Sequence, residues 1–80
     1  MSIYTVTSNN TGNTVRVRCD SDEEAALRGA IKLGVRRDGR KPTMVNRYSR
    51  DSSLFHVYQW DKSQNASVNC YHSVYVSEPI

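Results

Sequence analysis

TVRVRCDSDEEAALRGAIKLG, residues 14–34, holds a strand and a helix separated by one short polar step. In its first six residues Val15, Val17 and Cys19 alternate with Arg16 and Arg18, the two-residue period of a strand with one apolar and one wet face. Ser21 to Glu24 then reads as a capping box, the serine accepting from the amide three residues on while Glu24 reaches back. Ala26, Leu27, Ala30, Ile31 and Leu33 recur at helical spacing. Acids fill the first turn, Arg28 and Lys32 lie toward the end, and Gly34 stands where a helix stops. The spacing predicts a helix over 22–33, whose alanines and Gly29 let it lie close against a sheet.

Upstream, SIYTVT predicts a strand over 2–7, and the turn SNNTGN joins it to the next strand as a hairpin. Downstream, Asp38, Gly39 and Pro42 mark a loop, TMVNRY a strand over 43–48, and LFHVYQW a strand over 54–60. After the polar turn DKSQN, the run ASVNCYHSVYV (66–76) places Val68, Cys70, His72, Val74 and Val76 on one face and Tyr71 and Tyr75 on the other. The element order is β-β-α-β-β-β: an α+β domain with one helix packed on a small antiparallel sheet.

Eighty residues make a single domain over 1–80 with a thin core, burying about 60–65% of the surface its unfolded chain exposes. Such a frame favours work at the surface over a deep catalytic cleft. No apolar run exceeds three residues, so no membrane span is expected, and MSIYTVTSNN lacks the features of a signal peptide. A cytoplasmic location follows as the expectation. Cys19 and Cys70 form no CxxC pair, so a thiolate metal site is not expected, and both read as small buried apolar residues.

Charge is distributed unevenly. Residues 28–50 carry eight bases against Asp38 alone, a net of +7, while the segments before and after each carry −2. The segment VRRDGRKPTMVNRYSR (35–50) supplies Arg36, Arg37, Arg40, Lys41, Arg47 and Arg50, with Tyr48 among them. These are the candidate partner-binding residues, with Tyr58 and Trp60 secondary because strand aromatics also build cores. Arginines held beside a sheet neutralise phosphates, and they equally grip carboxylates at protein interfaces. A Cys–His pair drawn from Cys19 or Cys70 with His56 or His72 is conceivable, but nothing in the spacing asks for it. His56 and His72 lie on neighbouring predicted strands, where they could meet across a ladder for acid–base cleavage of RNA. The chain has no HxxxH or HExxH, and its glycines form no phosphate-cradling loop; no cofactor, metal or small-molecule ligand is expected.

The run IYTVT, the segment VRVRCDSDEEAALRGAIKL, then LFHVYQW and the closing YHSVYVSE make the chain similar to small phage-encoded anti-CRISPR proteins, most of all to an inhibitor of the type I-E interference complex. The resemblance spans most of the chain. It implies a non-enzymatic protein that binds a type I CRISPR-Cas complex stoichiometrically and blocks its DNA binding or nuclease recruitment. The basic segment argues against mimicry of DNA. A small nucleic-acid-binding protein, a phage inhibitor of another host enzyme and a small ribonuclease using His56 and His72 are the other readings.

Overall fold

The computed structural model describes residues 2–36, 39–58, 60–61, 66–67 and 72–77. Its elements are β1 (Ser2–Ser8), β2 (Thr14–Cys19), α1 (Asp22–Lys32), β3 (Met44–Arg47), β4 (Leu54–Tyr58), β5 (Trp60–Asp61), β6 (Ala66–Ser67) and β7 (His72–Ser77). Five of the strands form one antiparallel sheet in the spatial order β2-β1-β7-β4-β3, and β5 pairs with β6 in a separate short ladder. The fold is the expected α+β arrangement, one helix on an antiparallel sheet with β-β-α-β-β-β as the order of sheet elements. The strand expected over 54–60 ends at Tyr58, and the last sheet strand begins at His72; Val68, Cys70 and Tyr71 lie outside the described residues.

Strand order explains how the helix is used. β1 and β7 pair near the middle of the sheet, whereas β2 and β3 stand at opposite edges. The chain must therefore cross from one edge to the other, and α1 makes that crossing over one face only. The helix is closed at both ends by local chemistry. Ser21 Oγ accepts from the Glu24 amide at 3.2 Å, while the Glu24 carboxylate reaches the Asp20 amide, one residue beyond the N-cap. At the other end Gly34, at φ +84°, donates to Ile31, and Val35 donates to Ala30, the two bonds of a Schellman motif. Val35 is buried and seals the turn against the core.

The buried helix face is Ala25, Ala26, Gly29 and Ala30, narrower and smaller than the expected stripe; Leu27, Ile31 and Leu33 lie only half-buried at its margins. The bulk comes from the sheet: Tyr4 and Val6, Val17, Phe55 and Val57, and Val74 and Val76. Cys19 completes the set as a buried free thiol. Arg28 and Lys32 leave the helix sideways and donate to the carbonyls of Arg18 and Arg16, at 3.4 and 3.0 Å. Those carbonyls belong to the edge strand β2, so the helix blocks the edge it leaves from.

At Gly29 an added β-carbon would lie 2.5 Å from the Val6 side chain. Alanine is intrinsically better than glycine in a helix by up to about 1 kcal/mol, but Val6 is fully buried and β-branched, so it cannot turn away. Overpacking wins. Gly29→Ala is expected to cost about 1–2 kcal/mol net, read as a drop of roughly 5–10 °C in melting temperature; an unchanged or higher value would mean that the helix stands off β1.

Candidate functional site

Alternation along each strand divides the sheet into two faces. Tyr4, Val6, Val17, Cys19, Phe55, Val57, Val74 and Val76 point to the helix. The intervening residues point away from it. In β2 and β1 these are Arg16 opposite Thr5 and Arg18 opposite Ile3, with Thr7 and Thr14 sharing a hydroxyl contact of 3.1 Å. Toward the other edge, Tyr75 stands opposite Leu54, His56 opposite Ser73 and Asn46, and Tyr58 opposite Met44. Tyr48 follows β3, donates its amide to Leu54 and sets its ring edge-on to His56, with centroids 5.6 Å apart. Tyr48 is 66% exposed and Tyr75 42%. Among the described residues on this face of the five-stranded sheet, only Arg16 and Arg18 carry a permanent charge, and none is acidic.

The expected contact charges do not gather into one patch. Arg36, exposed, borders a cleft of about 260 Å³ between the end of α1, the β1–β2 turn and His72. Arg40 and Lys41 are exposed on the approach to β3, and Arg50 is exposed beyond its far end, two residues after Tyr48. Arg37 lies outside the described residues, Tyr58 is half-buried on the uncovered face, and Trp60 pairs with Ser67 through β5. Arg47, expected as a contact charge, is engaged inside the fold. Its guanidinium pairs with Asp22 in the first helical turn, donates to the Ser52 carbonyl at 2.8 Å and lies 4.6 Å above the Phe55 ring. The reason is period two: Arg47 follows Val45 onto the helix side of β3.

Arg47 and Asp22 are 28% and 32% exposed, so their ion pair by itself is worth at most about 1 kcal/mol. Stacking on Phe55 and the bond to Ser52 add to it. Arg47→Ala is expected to lower stability by about 1–2 kcal/mol in urea unfolding, and Arg47→Lys to recover little, because an ammonium lacks the planar fork. Full stability in Arg47→Ala would return the residue to the pool of contact charges.

The two histidines do not meet. The β4–β7 register places Ser73 opposite His56 and Val57 opposite His72, so the rings stand on opposite faces of the sheet. This corrects the expectation of a paired site for RNA cleavage. His56 Nδ1 lies 3.0 Å from the Ser73 hydroxyl. His72 Nε2 lies 2.9 Å from Ser8 Oγ, and Asn10 approaches Nδ1 at 3.3 Å. Ser8 Oγ also accepts from the amides of Asn10 and Thr11. The arrangement holds the β1–β2 turn against the start of β7.

Burial lowers the His72 pKa below that of a free imidazole. A depressed histidine pKa stabilises the fold above the unfolded value, and that contribution is lost as pH falls. Melting temperature is therefore expected to decline as pH drops below about 6.5, with His72→Gln flattening the decline between pH 7 and 5. The same slope in the variant would take His72 out of the account.

Among the described residues there is no group of three or more His, Cys, Asp or Glu side chains placed to hold a metal ion, and no helix is long and apolar enough to cross a membrane. Comparison with protein-family models, with curated proteins and with solved structures returns no match.

Proposed function

We propose that this protein is an anti-CRISPR inhibitor that acts in the cytoplasm of an infected bacterium, binds a type I CRISPR-Cas interference complex stoichiometrically, and works by contact rather than catalysis. The sequence likeness carries the choice of target. The observation that supports binding through this part of the surface is Tyr48. A tyrosine two-thirds exposed, two residues before an exposed Arg50 on a domain this small, has the composition of an interface anchor. Arg40 and Lys41 are exposed at the opposite end of β3, and Arg36 borders the cleft at the helix end, as separate basic points on the same domain.

The charges favour one mode of action over another. A mimic of DNA needs an acidic face, yet Asp22 and Glu24, two of the four acids clustered near the start of α1, are paired within the fold to Arg47 and Arg28. The exposed charges of 36–50 are basic and suit an acidic protein surface, where arginine forks pair with carboxylates. An interface of about 800 Å² on this side is enough for a stable complex. Occupying such a surface prevents either nuclease recruitment or entry of target DNA.

The test is titration of the purified protein into type I interference complexes, with cleavage of target DNA as the readout. Saturable one-to-one binding with loss of cleavage is expected, and Tyr48→Ala or Arg50→Ala should weaken binding tenfold or more if either is an anchor. Absence of both binding and inhibition across the type I complexes would overturn the reading.

A further inference from the structure

We infer that the sheet face turned away from the helix binds a single unpaired nucleic-acid strand. The inference goes beyond the inhibitor reading, because it concerns a ligand of this chain alone and stands or falls separately. Three observations carry it: where the charges lie, where the aromatics lie, and what lies between them.

The charges on this face are Arg16 and Arg18, both exposed, with no acid among its described residues to answer them. Cations alone on a surface attract phosphate. The aromatics stand across the sheet from them. Tyr75 occupies the central strand β7, and Tyr48 shares its row one strand beyond Leu54. Neighbouring strands lie about 4.8 Å apart, so the two tyrosines are separated by about 10 Å, with His56 edge-on to Tyr48. Arg16 lies two strands to the other side of β7, in the row of Ser77 rather than that of Tyr75. A strand laid over β7 can thus put bases on tyrosines while its backbone runs toward the arginines, which is how stacking platforms hold unpaired bases.

What lies between favours a nucleic-acid strand over a protein along β1 and β7, the part of the face away from Tyr48. Protein interfaces concentrate apolar and aromatic side chains at the centre and polar groups at the rim. Here Tyr75 at the centre is surrounded mainly by hydroxyls, Thr5 and Thr7 on β1 and Ser73 and Ser77 on β7, with Leu54 its one apolar cross-strand neighbour. Duplex DNA fits no better. Its bases are stacked inside the helix, and its major groove admits a helix or a two-stranded ribbon rather than a broad sheet.

The experiment uses the full chain alone, with fluorescence anisotropy of a labelled twelve-residue oligothymidylate at several salt concentrations. Binding is expected, with a log–log salt slope that falls by about 1.4 in the Arg16→Ala/Arg18→Ala double variant, two phosphates' worth on a single strand. Tyr75→Ala should weaken binding roughly tenfold, and Tyr75→Phe, which keeps the ring, should not. Circular dichroism checks that each variant is folded. The proposal is overturned by no measurable binding, by full affinity in Tyr75→Ala, or by equal competition from duplex DNA or polyglutamate. Displacement by polyglutamate would mark a protein-like acidic ligand instead. Complex binding without oligonucleotide binding overturns this inference and leaves the inhibitor reading intact.

Discussion

With no side chain at Gly29, the helix backbone comes down onto Val6 until an added β-carbon would meet it at 2.5 Å, and that separation determines what the rest of the core must contain. A helix so close has room only for alanines at its other buried positions, and Ala25, Ala26 and Ala30 occupy them. The volume is then filled from below. Phe55 is the largest fully buried side chain, and valines from four strands surround it. Val6 belongs to β1, which pairs with both β2 and β7. A change in helix height at this one point is therefore passed directly to three strands.

The same contact bears on why one face of the sheet carries no helix among the described residues. Eleven helical residues reach about 16 Å, most of the roughly 19 Å that separates the outer two of five strands spaced about 4.8 Å apart. One such helix, lying low, covers one face and has nothing left for the other. Asp22 at its start holds Arg47 on β3, and Lys32 at its end holds the Arg16 carbonyl on β2. The helix is thus tied to both edge strands. The uncovered face keeps its shape because the covered one is fastened at its margins.

Features that depend on neighbours along the chain are legible in the sequence. The capping box, the Gly34 stop, the hairpin and the alternation of Val15, Val17 and Cys19 follow from spacing alone. Whatever depends on strand order is not. The pairing of β1 with β7 joins residues some seventy positions apart, and no period within either strand announces it. His56 and His72 illustrate the point. Both sit on adjacent strands, as their segments predict, yet the register separates them onto opposite faces, since one step along a strand reverses the side chain. Within α1, hydropathy favours Leu27 and Ile31 over Ala25 and Gly29. Close approach reverses that preference.

Charge along the chain misleads for the same reason. The segment 28–50 holds eight bases, but Arg28 and Lys32 donate to edge carbonyls and Arg47 is paired and stacked. Those that remain exposed among the described residues are divided by the length of β3, about 13 Å, between the two ends of the sheet. Arg16 and Arg18 belong to a stretch of net −2, which gives no hint of a basic site. A strand sorts its charges by alternate residues, however, and a sheet sorts them again by which strands stand together. The neighbouring acids Asp20, Asp22, Glu23 and Glu24 fall on the turn and the helix, leaving the two arginines on a face with Tyr75 and Tyr48. A localised positive surface thus comes from one of the acidic segments, because the fold separates by side what the sequence mixes by position.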